Sequence, residues 1–329
     1  MKAWKYPKLH LYTIKDISNC IQGKGLSFCD AGRLLEDCLK NKDNYWFDNV
    51  SESKPDKGKW VRSASSKPLG KLQKSINQKI LASYDDSLPP FIYGGVGKKG
   101  IKDAAKALQG QNNKRTILKI DLHKFFEHIS YDDIVKTLTQ RCSCSLCVAQ
   151  TIAEIACVEE GPKSSENKKV LARGFSTSSR LAVWCNLDLF IKIFRLVSKR
   201  LKGHDFRIAI YMDDIGITAS RISPFKMASL YKELIELIAK DKANLEVNVD
   251  KTKIVDYLDR EYSSNDGILI EGSKARFEFL GILIGRNSLS ASNKTRSKIA
   301  RLSQKQQLSK KEQASLKGLK RFANYIARK

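Results

Sequence analysis

Apolar positions along this chain fall into two periods. Leu69, Leu72, Ile76, Ile80 and Leu81 recur three or four residues apart, with Lys71, Lys74 and Lys79 between them. That spacing predicts an amphipathic helix from Leu69 to Leu81. Shorter helical patterns run over Ala31–Leu39 and Ile101–Leu108. Ser130 and Asp133 read as an N-cap and its N3 partner, opening a helix from Tyr131 to Leu138. Further helices are predicted over Val148–Cys157, over Arg180–Leu196, and around Leu230, Leu234, Leu237 and Ile238. The second period is two. Thr116–Asp121 reads as a strand that ends at a carboxylate. Arg207–Thr218 alternates on both sides of Asp213-Asp214, which predicts a β-hairpin with the two acids at its turn. Leu245–Val249 and Phe277–Ile284 also read as strands. Ser51–Lys59, Glu159–Lys169 and Leu171–Ser179 read as loops or turns, and Pro89-Pro90 ends a segment. No repeat period is present, and strands mixed with helices and hairpins give an α+β layered domain.

From Ala291 to Lys329 the pattern stays helical through Ile299, Leu302, Leu308, Leu316, Leu319, Phe322 and Ile326, but the charge becomes one-sided. This tail has twelve Lys and Arg and one acid, Glu312, which predicts a helical module apolar on one face and electropositive on the other. The whole chain shares the bias: 60 Lys and Arg against 35 Asp and Glu in 329 residues, a net charge of +25. Dispersed positive charge of this size points to a polyanionic partner, because neutralising phosphates releases counterions. Nucleic acid fits better than a membrane surface, since no basic amphipathic segment stands apart from the core pattern.

No stretch reaches the ~20 apolar residues that span a bilayer. The N-terminal Met1-Lys2-Ala3-Trp4-Lys5-Tyr6-Pro7 lacks the apolar segment of a signal peptide, so a cytoplasmic protein with reduced cysteines is expected. Three of the eight cysteines, Cys142, Cys144 and Cys147, lie close in sequence. A zinc site would need a fourth ligand, such as Cys157 or a distant His, and buried helical thiols are the competing reading.

Two adjacent carboxylates repel one another unless cations neutralise them, so Asp213-Asp214 suggests a divalent metal site; a solvated acidic turn is the bland alternative. Asp121, 92 positions earlier and also at a strand end, has a chemical reason to join them. Two cations about 3.5 to 4 Å apart would activate an attacking hydroxyl and stabilise a leaving pyrophosphate. The glycine-rich Tyr93-Gly94-Gly95-Val96-Gly97-Lys98-Lys99-Gly100 offers backbone amides and two lysines to a phosphate, or is a plain flexible loop.

At this point the chain resembles the reverse transcriptases. Ile120-Asp121-Leu122-His123-Lys124-Phe125-Phe126 looks like their first palm motif. Arg173-Gly174-Phe175-Ser176-Thr177-Ser178-Ser179-Arg180-Leu181-Ala182 looks like the Gly-x-x-x-Ser turn and helix. Tyr211-Met212-Asp213-Asp214 matches the Tyr-x-Asp-Asp hairpin. Asn248-Val249-Asp250-Lys251-Thr252 looks like the lysine motif, and Phe279-Leu280-Gly281 resembles the primer grip. Each motif is weak alone, and their order over roughly residues 60 to 290 is the specific part.

The resemblance implies a right-hand polymerase fold: an N-terminal extension over 1–60, fingers over 61–115, a palm with fingers insertions over 116–285, and a small basic helical thumb over 286–329. It implies an RNA-directed DNA polymerase using two Mg²⁺ ions, with Mn²⁺ as an alternative. Asp121, Asp213 and the backbone carbonyl of Leu122 would hold the metals, with Asp214 adjacent. Lys251 would protonate the pyrophosphate as a general acid, an ordinary surface lysine being the competing reading. Phe126 would exclude a ribose 2′-hydroxyl, with core packing of Phe125 or Phe126, or exchanged roles, as the alternative. Lys59 and Arg62 would clamp the triphosphate, while Gly174, Ser178 and Tyr211 would line the substrate site. The implied partners are dNTPs, an RNA template that is a structured non-coding RNA, and a DNA product. No membrane partner is expected, and a homo-oligomer is left open.

Forty-eight residues follow Gly281, room for a small thumb but not for a ribonuclease H, protease or integrase. The compact bacterial enzymes, retron and standalone defence-associated, fit this plan. Retron enzymes carry Asn-Ala-x-x-His and Val-Thr-Gly; here Asp103-Ala104-Ala105-Lys106-Ala107-Leu108 lacks the His, and no Val-Thr-Gly follows Gly281. These departures favour a standalone antiphage-defence enzyme that copies a companion non-coding RNA. A retron enzyme making multicopy single-stranded DNA, a catalytically silent RNA-binding scaffold and an RNA-dependent RNA polymerase are the rival readings.

Overall fold

The segment from 115 to 123, with Ile117, Leu118, Ile120 and Leu122 as its apolar residues, forms an inner strand of a sheet, with neighbours on both edges and burial along nearly its whole length. The computed structural model describes residues 4–23, 25–110, 115–241, 243, 245–256, 262–263, 269–272, 276–285 and 288–328. Met1–Ala3 of the N-terminal segment and the final Lys329 lie outside the described residues. The chain divides into two units, each assembled from three separate stretches.

The first unit (residues 1–97, 123–191 and 238–246) is mainly helical. Its helices are α1 (Ile14–Ile21), α2 (Phe28–Lys40), α3 (Pro68–Lys79), α5 (Tyr131–Gln140), α6 (Leu146–Ala156) and α7 (Ser178–Cys185). Two short antiparallel pairs accompany them: β1 (Phe47–Asp48) with β2 (Arg62–Ser63), and β4 (Cys157–Glu159) with β5 (Lys169–Leu171). The Ser130 cap forms as its sequence requires, Oγ accepting from Asp133 N and Asp133 accepting from Ser130 N at 2.9 Å. Fully buried Leu69, Leu72 and Ile76 give α3 its inner face. Cys142 and Cys144 are buried, and burial raises their thiols to about 12 and about 11; Cys147 is exposed.

The second unit (98–122, 192–237 and 247–329) holds the main sheet. Its elements are α4 (Ile101–Gln109), β3 (Arg115–His123), β6 (Arg207–Tyr211), β7 (Asp214–Ser220), β8 (Glu246–Val247), β9 (Lys253–Asp256), β10 (Tyr262–Ser263) and β11 (Leu269–Gly272). A hairpin and third strand follow, β12 (Arg276–Phe279), β13 (Ile282–Gly285) and β14 (Leu289–Ala291), then α10 (Asn293–Ser303) and α11 (Lys310–Ala327). Two further helices, α8 (Leu187–Arg200) and α9 (Pro224–Ala239), have residues in both units. Strand order is β10-β11-β9-β3-β7-β6, with β8 also on β3; β3 is antiparallel to β7 and β9, and β6 to β7. Gly216 on β7 is required by packing, since a Cβ there would lie 2.5 Å from Leu108 Cδ1 and 3.1 Å from the Phe279 ring. The class is α+β with a largely antiparallel sheet. Among the described residues no helix is long and apolar enough to cross a membrane.

Several element boundaries differ from the periodicity. The helix expected over Arg180–Leu196 is two, interrupted at Asn186, whose backbone N and side-chain Nδ2 both donate to Ala182 O. The single strand expected over Phe277–Ile284 is a hairpin, with Leu280 and Gly281 at φ +53° and +73°, the two left-handed residues of a type I′ turn. Cys157 leaves the expected helix for β4, and Leu245–Val249 shortens to a two-residue strand before a 3₁₀ turn. Strand β3 runs two residues past Asp121.

Candidate active site

Asp121 and Asp214 meet because β3 and β7 pair antiparallel in a register that sets them directly opposite each other. Residues so paired extend from the same face, with Cβ atoms about 5 Å apart. Asp213 sits at the turn just before β7, and its carbonyl accepts from Leu122 N at 2.9 Å, which fastens the hairpin tip to β3. Tyr211 closes the hairpin opposite Asp214, and burial raises its phenol above the ordinary range. Between them Met212 has φ +58°, a left-handed conformation that costs a non-glycine residue about 1–2 kcal/mol. The tight two-residue turn therefore stores strain while presenting two acids in succession.

The lysine motif arrives from another part of the sequence. Asn248 N donates to Asp121 O at 2.7 Å, and the 3₁₀ turn over Val249–Lys251 brings Lys251 Nζ to 3.0 and 3.2 Å from the Asp121 carboxylate oxygens. Lys119, two residues before Asp121, places its Nζ 3.2 Å from Asp214 Oδ1. The ion pair falls on Asp214 Oδ1, an atom buried from solvent. Burial raises the Asp214 carboxyl above the ordinary carboxylate range, Lys119 opposes that shift, and the Asp121 charge adds to it.

Two facing carboxylates and a third at the adjacent turn form a hard oxygen donor set of the kind Mg²⁺ prefers. The donor chemistry therefore fits a divalent cation. As arranged here lysines neutralise the pair, and among the described residues no three His, Cys, Asp or Glu side chains are gathered tightly enough to enclose an ion.

The remaining expected site residues lie in the first unit. Phe125 is fully buried and stacks on Phe190 with ring centroids 6.3 Å apart, a core role. Phe126 retains 8% exposure and lies edge-on to Phe125, and the Arg173 guanidinium sits 4.7 Å over its ring. Arg173 is held in turn by a bidentate pair to Glu127, both contacts 3.0 Å. Gly174 has φ +102°, and a Cβ there would fall 2.4 Å from Arg62 O, so the close approach of the two backbones demands glycine. Ser178 is buried and its Oγ donates to Ala172 O at 2.6 Å, tying the turn to the start of α7.

Arg62 departs from expectation. Instead of facing an open surface for a triphosphate, it is 4% exposed, paired with Asp48, bonded to the carbonyls of Gly161 and Glu159, and flanked by Trp46 and Trp60. Two of these partners, the Glu159 and Gly161 carbonyls, lie nearly a hundred residues away, and none of them gives a periodic signal. Lys59 is half-buried on the backbone bridge to Lys54. Sequence reasoning also missed Lys119 and the Arg173–Glu127 pair. Lys119 was readable in principle, because a spacing of two on a strand places it on the face of Asp121.

Residues 53–284 match the family model described as reverse transcriptase (RNA-dependent DNA polymerase). No curated protein sequence gives a significant match. Among solved structures, the chain is similar to telomerase from Candida albicans in complex with a TWJ fragment of telomeric RNA. That likeness has 13% identity and a TM-score of 0.37, covering 63% of this chain and 37% of the telomerase chain.

Proposed function

The chain belongs to the reverse transcriptase (RNA-dependent DNA polymerase) family, and we propose that it copies an RNA template into DNA by adding dNTPs where the end of β3 meets the start of β7. The observation that supports this reading is the direct pairing of Asp121 with Asp214, with Asp213 at the adjoining turn and Lys251 on Asp121. Asp121, Asp213 and the Leu122 carbonyl are the proposed holders of two Mg²⁺ ions (or Mn²⁺), and Asp214 stands beside them. Bound there, the cations would supply Lewis-acid activation of a primer hydroxyl and charge neutralisation for the leaving pyrophosphate. Lys251 is the proposed proton donor to that leaving group, and its half-exposed side chain is free to turn toward it. Phe126, stiffened by Arg173, excludes the ribose 2′-hydroxyl. Gly174, Ser178 and Tyr211 shape the surfaces that take template and nucleotide. Lys59 contacts the triphosphate, and Arg62, held by its own partners, supports the Gly174 turn from behind. In this reading residues 1–60 are an N-terminal extension, 61–115 fingers, 116–285 palm with fingers insertions, and 286–329 thumb.

The proposed template is a structured companion non-coding RNA, and the proposed setting is antiphage defence by a standalone bacterial enzyme in the cytoplasm. The charge of +25 supports an RNA partner. Sequencing the nucleic acid that co-purifies with the protein tests it. One dominant RNA with complementary DNA is expected; a random sample of cellular RNA without complementary DNA would remove the reading.

The tail supplies a separate expectation. Lys310, Lys311, Lys317, Lys320 and Arg321 on α11 are all exposed, while Ile326 is buried. Changing these five to Gln should flatten the dependence of log affinity on log salt for single-stranded RNA, by about 0.7 for each phosphate that is no longer neutralised. An unchanged slope in a filter-binding salt series would locate the phosphate-binding residues elsewhere.

A further inference from the structure

The acidic site contains a lysine to which the polymerase reading gives no task. Lys119 and Asp121 share one face of β3, and Asp214 lies across from Asp121, so the Lys119 ammonium reaches Asp214 from the strand that carries the first acid. The residue opposite Lys119 is Gly216, which offers no side chain of its own. The two lysines of the site are held differently. Lys251 is 52% exposed over Asp121, whereas Lys119 is 22% exposed over an Asp214 side chain that is 20% exposed. Lys251, half in solvent, is the one with room to turn away, and the Asp121 side chain beneath it is 8% exposed and needs another cation in its place. Lys119 is itself largely buried, and its ammonium faces the buried Oδ1 of Asp214 at 3.2 Å.

We infer that Lys119 is a positioning residue that holds the Asp214 carboxylate in place and withholds it from an incoming divalent cation, so that Asp121 and Asp213 are the carboxylates a cation engages. The inference rests on the polymerase reading of the site and adds a division of labour among its three acids. Lys119 is the standing counter-ion that lets adjacent carboxylates coexist in the folded chain, and Lys251 is the mobile one. Strength of cation binding is thereby limited by design of the strand: a third carboxylate would tighten the grip on an ion that the reaction must also release.

The test is Mn²⁺ binding to the full chain, followed by electron paramagnetic resonance with no nucleotide or RNA present. Lys119→Met should bind Mn²⁺ at least about threefold more tightly than wild type, because one opposing charge is gone and one carboxylate is freed. Lys119→Arg should keep wild-type affinity, and Lys119→Met combined with Asp214→Asn should lose the gain. In metal-free buffer, Lys119→Met should lower the thermal midpoint by roughly 2–4 °C, and the double variant should recover most of it. Equal or weaker Mn²⁺ affinity in Lys119→Met, or a gain that survives Asp214→Asn, overturns the assignment. If Lys119→Met does not fold, a folded double variant still supports the counter-ion role, and an unfolded one overturns it. Wild-type protein that binds no Mn²⁺ while the metal-free pair shows its coupling would instead sink the polymerase reading of the site.

Discussion

Asp213→Asn abolishes DNA synthesis on a primed RNA template and leaves RNA affinity within about twofold of wild type. The amide keeps the size of the side chain, and the contact that anchors the hairpin tip is made by the Asp213 backbone carbonyl to Leu122 N, which the substitution does not touch. What disappears is one negative oxygen donor beside the Asp121–Asp214 pair. Charge stabilisation lost at a developing anion typically costs 10²–10³-fold in rate, and more where a metal ligand is removed, so a loss of at least about 10³-fold, or ~4 kcal/mol, is expected. RNA affinity persists because it comes from lysines and arginines dispersed over the surface. Loss of RNA binding together with activity would make Asp213 a structural residue.

Phe126→Ala relaxes the choice of sugar. In the proposed reading the ring fills space that a ribose 2′-hydroxyl would need, and a steric distinction of this size is worth roughly 10- to 100-fold in the ratio of dNTP to NTP incorporation. The variant also leaves a cavity beneath the Arg173 guanidinium, which costs up to about 3 kcal/mol of stability. The informative readout is therefore the incorporation ratio and not the absolute rate. Arg173 remains fixed by Glu127, so the surrounding turn should survive the change. An unaltered ratio would return Phe126 to the core beside Phe125.

What was legible in the sequence was the chemistry that depends on short spacing. A strand ending near Asp121, a hairpin around Asp213-Asp214 and the Ser130 cap follow from periods of two and from local capping, and the structure contains all three. The Asn248–Lys251 turn reaches Asp121 through a main-chain hydrogen bond, a long-range contact that only the order of motifs suggested. The missed features have separate causes. Leu280 stands where a type I′ turn usually takes Asn, Asp or Gly, so the hairpin read as one strand. The interruption at Asn186 is a single residue long, which apolar periodicity does not register. Arg62 is buried by Asp48 and by carbonyls nearly a hundred residues away, which no local pattern encodes. Lys119 escaped notice because a lysine inside an apolar strand is usually assigned to solvent.

In the proposed reaction, carboxylates gathered where β3 meets β7 direct divalent cations to join deoxynucleotides on RNA. Single-nucleotide incorporation on a primed RNA template, with Mg²⁺ titrated and with Asp121→Asn beside wild type, tests it most directly. The account predicts dNTP addition that requires Mg²⁺ and disappears in Asp121→Asn. Addition that survives chelation or the substitution, or its absence on every RNA template with folded wild-type protein, would contradict it.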